Sequence, residues 1–173
     1  MTHRGQCRPP ARAGAVITES QQPVIEANAW QRFPSPTTEA RTTEEDQMLS
    51  DADITTLVTA KDLGEAMAFY EEKLKLVRTD ESPGWVQYRS GTSNLIVYES
   101  EFAGSNKATT AVWTVNDVTE TVRELKANGV TSFQQYDDLP GATRDGDIHT
   151  AGPVKMAWFK DPSGNIFEVN GRD

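Results

Sequence analysis

Trp158-Phe-Lys-Asp-Pro-Ser-Gly-Asn-Ile-Phe-Glu168 is the stretch whose reading decides the fold. An apolar run enters a Pro-Ser-Gly-Asn turn and leaves as Ile166-Phe167-Glu168-Val169, which is the pattern of a β-hairpin. Pro162 pre-sets one backbone dihedral, and Gly164 or Asn165 can take the positive φ that closes the turn. Glu168 interrupts the returning apolar strand. A carboxylate there must face solvent, a cavity or a metal, because burying it unpaired is costly.

Upstream of the hairpin the same plan occurs twice. Ile54–Thr59 is a β-branched run of strand length, and Asp62-Leu-Gly-Glu65 is a helix N-cap with a carboxylate three residues on. Leu63, Ala66, Met67, Tyr70 and Leu74 follow at helical spacing. Lys75 stands at the helix exit, where a left-handed glycine is usual, so a left-handed Lys75 stores strain. Strands are expected at Val77–Asp80, Trp85–Arg89 and Asn94–Glu99. Sliding the chain by 55 positions pairs Thr55 with Thr110, Thr59 with Thr114, Asp62 with Asp117 and Glu65 with Glu120. Ala111–Val115 is then a strand, Val118, Val122 and Leu125 line a second helix, and Asn128-Gly129 closes it. Three strands follow at Val130–Tyr136, Val154–Lys160 and Asn165–Asn170. The economical reading is an α+β domain over residues 51–173, built from two tandem βαβββ units (51–101 and 109–171). Their sheets form a cup, with the helices outside.

Bulk properties bound the function. The 173 residues suit one domain plus a tail, and the net charge of −9 argues against nucleic acid and anionic membranes as partners. A single cysteine, Cys7, fits a reducing cytoplasm, and no apolar run approaches the ~20 residues of a membrane span. Residues 1–50 carry five of the nine prolines and no helical or strand period, so a disordered tail is expected. It is either a dispensable tail, or an upstream extension ahead of a translation start at Met48, or a partner-binding arm using Val24, Ile25, Trp30 and Phe33.

Three motifs, in order, carry a family resemblance: Leu57-Val-Thr-Ala-Lys-Asp-Leu-Gly-Glu-Ala-Met-Ala-Phe-Tyr70, Val112-Trp-Thr-Val-Asn-Asp-Val118, and the terminal hairpin. Together they make residues 52–171 resemble a vicinal-oxygen-chelate domain of the glyoxalase / bleomycin-resistance / extradiol-dioxygenase superfamily. The resemblance implies the cup fold and a homodimer, but leaves the activity open, because this fold hosts isomerases, epimerases, dioxygenases, thiol transferases and drug-binding proteins. It also implies metal ligands on the first and last strand of each unit. Those positions fall on Thr55, Val97, Thr110 and Glu168. Threonine hydroxyls and a valine beside one carboxylate are a poor donor set for a divalent ion, so no metal or other cofactor is expected.

Glu168 is read in three ways: a structural carboxylate paired with Arg89, Arg144 or Lys160, a polar anchor for a ligand, or, in an enzyme, a general base. Alternation from Val97 places Glu99 near the cup rim as a second acidic group. His149, within the polar segment Asp138–Gly152, belongs to a solvated loop or to a lid over the cup mouth with Ile148, Pro153 and Met156. Trp85, Phe102 and Trp158 are the aromatics expected to line the cavity, above a floor of Leu57, Thr59, Val112 and Ile166. Tyr98, Trp113, Phe167 and Val169 read as core. The function expected is metal-independent binding of a small planar organic molecule, an antibiotic being one candidate. The alternative is a lyase, isomerase or dioxygenase that uses Glu168 as base or metal ligand.

Overall fold

The computed structural model describes Leu49 and residues 52–172; apart from Leu49, the expectation for residues 1–50 lies outside them. The first unit runs β1 (Thr56–Ala60), α1 (Leu63–Ala68), a π-helical turn (Phe69–Lys73), β2 (Val77–Ser82), β3 (Trp85–Ser90) and β4 (Ser93–Glu99). The second runs β5 (Thr109–Thr114), α2 (Val118–Ala127), β6 (Phe133–Gln134), β7 (Thr143–Asp145), β8 (Ile148–Ala151), β9 (Val154–Lys160) and β10 (Ile166–Arg172). Both helices begin as their sequences dictate. The Asp62 carboxylate accepts from the Glu65 backbone N–H at 2.8 Å, and that of Asp117 from the Glu120 N–H at 2.9 Å. Lys75 is left-handed, with φ 57°, and Gly129 ends α2 with φ 87°.

Strand pairing makes two sheets, β1-β4-β3-β2 and β5-β10-β9-β8-β7, with β6 also on β9. In each, the first strand lies parallel to the last of its own unit, and the remaining pairs are antiparallel. The segment expected to be a loop or lid is instead the β7–β8 hairpin, which extends the second sheet from β9. The strand expected over Val130–Tyr136 shrinks to Phe133–Gln134, because the Tyr136 N–H bonds the His149 side chain rather than a neighbouring strand.

One side of each sheet packs on the helices in a single shared core. Val58, Ala60, Val86, Tyr88, Leu95 and Val97 meet Ala66, Phe69 and Tyr70 of the first helical segment, Val118, Val122 and Leu125 of α2, and Ala157, Phe159, Phe167 and Val169 of the second sheet. Tyr70 stacks on Tyr88 at 5.6 Å and meets Phe167 edge-on at 6.2 Å, so one ring bridges both sheets.

A buried polar clamp completes the junction. The terminal turn carries Asp161, Ser163 and Asn165, all buried. The Tyr70 hydroxyl donates to Asp161 at 2.8 Å, the Asn165 amide donates to the Thr59 carbonyl at 2.7 Å, and the Lys61 N–H donates to the Ser163 hydroxyl at 3.0 Å. The turn chemistry that signals a hairpin therefore also latches the last strand onto the first unit. Gly164 takes the positive φ, at 96°.

The candidate site on the open face of the second sheet

Strand alternation sends Phe167 and Val169 into the core and turns Glu168 to the opposite, open face. Register places Glu168 directly beside Val112 on β5 and Trp158 on β9, and Trp158 beside Gln134 on β6. The next row on this face is Thr114, Asn170, Met156 and His149. Glu168 accepts from the Asn170 amide at 3.0 Å, and the Asn170 side-chain oxygen accepts from the Thr114 hydroxyl at 3.0 Å. Two neutral side chains thus orient the carboxylate. Arg144, one of the cations offered by the sequence, bonds Asp137 instead.

Aromatic rings stand beside the carboxylate. Trp158 meets His149 edge-on at 5.1 Å and Tyr136 edge-on at 5.2 Å. His149 is only 1% exposed; its Nε2 accepts from the Tyr136 backbone N–H at 3.0 Å, while its buried Nδ1 has no hydrogen-bond partner. A ring nitrogen that accepts is unprotonated, so the neutral imidazole carries its proton on Nδ1. Val112 remains 47% exposed on this surface. The hairpin behind His149 is tied to α2, where Asp147 accepts from Gln135 and pairs with Lys126 at 2.7 Å. The Gln135 hydrogen bond first, and Lys126 second, hold the Asp147 carboxyl below its ordinary pKa.

The structure therefore brings Glu168, Val112, Trp158 and His149 together with Met156, which the sequence placed in a lid, and adds Tyr136, Gln134 and Asn170, which sequence reasoning missed. Alternation from Glu168 to Asn170 was the available signal for one of these. Thr110 lies where the pairing of β5 and β10 shifts register, and its hydroxyl oxygen is buried without a partner.

Ile166, two residues before Glu168 on β10, shares its face, and the other expected residues do not join it. Thr55 precedes β1 and pairs with no strand, while Leu57 and Trp85 belong to the other sheet, where Leu57 pairs with Ile96, and Trp85 and Thr59 flank Tyr98. Tyr98 is accordingly on that sheet's open face rather than in the core. Val97 pairs with Val58 and Val86 and is fully buried toward the helices, so it lines no cup. Glu99 shares that parity: it pairs with buried Ala60 and ends its strand exposed. Phe102 sits in the turn after β4, 60% exposed, on neither sheet.

The site does not suit the metal that the fold family implies. Among the described residues no three His, Cys, Asp or Glu side chains come together. Leu57 pairs with Ile96 as Val112 pairs with Glu168, so an isoleucine occupies the place in the first unit that corresponds to the carboxylate of the second. No step through a metal is derived from such a donor set.

With this geometry in view, the chain belongs to the Glyoxalase/Bleomycin resistance protein/Dioxygenase superfamily, whose model matches residues 54–169. Among solved structures it is similar to a genomically encoded fosfomycin resistance protein, FosX, from Listeria monocytogenes (14% identity, 70% of this chain and 93% of that one, TM-score 0.54). It is also similar to a bleomycin-binding protein complexed with bleomycin (18% identity, 70% and 99%, TM-score 0.53). A third similar structure is a glyoxalase/bleomycin resistance protein/dioxygenase from Alicyclobacillus acidocaldarius (20% identity, 70% and 92%, TM-score 0.52). At these identities the likeness establishes the fold. No curated protein matches the chain. Among the described residues no helix is long and apolar enough to cross a membrane.

Proposed function

We propose that the protein binds a small planar organic molecule without a metal, on the open face of the second sheet, with Glu168 as the polar anchor. The supporting observation is the direct cross-strand pairing of Glu168 with Trp158, whose ring continues into His149 and Tyr136. Exposed Tyr136 and Val112 beside an oriented carboxylate, backed by the buried Trp158 and His149 rings, suit a flat molecule carrying an amine or another hydrogen-bond donor. That one similar structure is a bleomycin complex supports antibiotic sequestration as the physiological use. Cytoplasmic location and a homodimer belong to this proposal as well.

The test is a calorimetric titration with bleomycin, and then with planar organic amines, of wild-type protein and Glu168→Gln. A charged hydrogen bond lost on removing the carboxylate corresponds to about 1.5–3 kcal/mol, roughly a ten- to hundredfold weaker affinity. Equal affinities for the two proteins would falsify the anchor role.

The Thr114–Asn170–Glu168 chain also favours a second reading. A carboxylate oriented by a neighbour is how a general base is held, so a lyase or isomerase is the alternative. Turnover of an α-oxoaldehyde hemithioacetal, lost in Glu168→Gln, distinguishes it from binding alone.

A further inference from the structure

On the other side of the second sheet, away from Glu168, lies a cavity of about 240 Å³. Its floor is Phe159, Val169 and Leu125, all buried, and its rim includes Leu74, Leu76 and Trp113, with Ser90 and Thr121 supplying hydroxyls. Among the described residues no charged side chain lines it. An apolar cavity of about 150 Å³ stays dry and takes a benzene, so this one has room for a fused two-ring molecule.

The backbone bordering the cavity is irregular on the side that shapes it. The first helix passes into a π-helical turn at Phe69–Lys73 instead of ending as an α-helix. Lys75, the only non-glycine residue with positive φ among the described residues, then sits between the two leucines of the rim. π-turns and left-handed non-glycine residues concentrate where function maintains them, because each costs stability. Here both features set Leu74 and Leu76 against the opening. The polar chemistry of the cavity is equally specific. Trp113 Nε1 donates to Ser90 Oγ at 2.8 Å, so the indole N–H is used while the serine O–H proton can still be donated. The Thr121 hydroxyl donates to the Asp117 carbonyl at 2.7 Å.

We infer that this cavity is a second ligand site, selective for uncharged aromatic molecules of one or two rings that carry a hydrogen-bond acceptor for Ser90. The site shares no residue with the open face and does not depend on the function proposed for it.

The experiment is a calorimetric titration of the full chain at neutral pH with quinoline and with 2-naphthol, alongside Leu76→Phe, which fills the opening, and Glu168→Gln, which alters only the open face. The expected result is saturable 1:1 binding to wild type, unchanged in Glu168→Gln and lost in Leu76→Phe, with a cooperative melt showing that the filled variant folds. Thr121→Leu fills the cavity from α2 and stands in should Leu76→Phe not fold. Absence of binding to wild type overturns the site, as does binding that survives filling or disappears in Glu168→Gln.

Discussion

Tyr70 on the first helical segment and Asp161 in the last hairpin turn are 91 positions apart in sequence and share a buried hydrogen bond of 2.8 Å. Asp161 also accepts from the Asn165 backbone N–H at 2.9 Å and from the Asn165 amide at 2.7 Å, so three donors hold one buried carboxylate. Such satisfaction lets a charge lie inside a junction between units.

Removing one donor exposes the cost of burial. Tyr70→Phe keeps the ring contacts with Tyr88 and Phe167 but leaves Asp161 one partner short. A loss of about 1–3 kcal/mol is expected, read as a lower midpoint in urea with an unchanged slope. An unchanged midpoint would show that the clamp contributes nothing to stability.

The same tyrosine predicts alkaline sensitivity. Burial first, and then the Asp161 charge and hydrogen bond, push the Tyr70 phenol well above its ordinary pKa. Burial first, and then Glu71, likewise raise Tyr88. Groups with raised folded pKa values contribute stability that is complete below the unfolded pKa of about 10 and is lost as pH rises beyond it. The melting temperature should fall above about pH 10, less steeply in Tyr70→Phe than in wild type. Parallel slopes in the two proteins would contradict the linkage.

Gly104 tests how closely the linker between units approaches the terminal turn. Its φ is +70°, and a Cβ there would lie 1.8 Å from the Ser163 carbonyl oxygen. Gly104→Ala therefore meets both backbone strain and a clash with main chain, and should cost about 3 kcal/mol or more in chemical denaturation. Gly91→Ala is the control: it shares the positive φ of +60° but meets nothing within 4 Å, so it carries the strain alone.

Phe102 and Trp158, both read from sequence as cavity aromatics, should separate in a binding assay. Trp158→Ala removes the ring beside Glu168 and is expected to weaken ligand binding about tenfold or more, at a cost of about 3–5 kcal/mol in stability. Phe102→Ser alters an exposed turn and should change stability by no more than about 0.5 kcal/mol. Equal effects of the two substitutions on affinity would remove Trp158 from the site.

What was legible in the sequence follows from range. Capping residues, the repeat, the turn glycines and the left-handed Lys75 are local, and each appears where its chemistry placed it. The site was half legible, because strand faces depend on register. Taking Val97 as the first unit's counterpart of Glu168 put β4 one residue out of register. Pairing Leu57 with Ile96 moves every residue of β4 to the other face. His149 was misplaced for a related reason: the polar residues of the β7–β8 hairpin resemble a loop until their pairing to β9 is seen. The Tyr136–His149 contact and the clamp around Asp161 depend on tertiary neighbours that no local pattern encodes.

The terminal clamp also has a consequence for the growing chain. Emerging from the ribosome amino end first, the first βαβββ unit exposes the Thr59 carbonyl, the Lys61 amide and the Tyr70 hydroxyl well before their partners in residues 161–165 are made. Its half of the shared core likewise waits for Phe159, Phe167 and Val169. The first unit is therefore a nascent intermediate with an apolar flank, completed only once residues 159–169 have been made, and a ribosome stalled before residue 161 would present quality-control machinery with that flank uncovered.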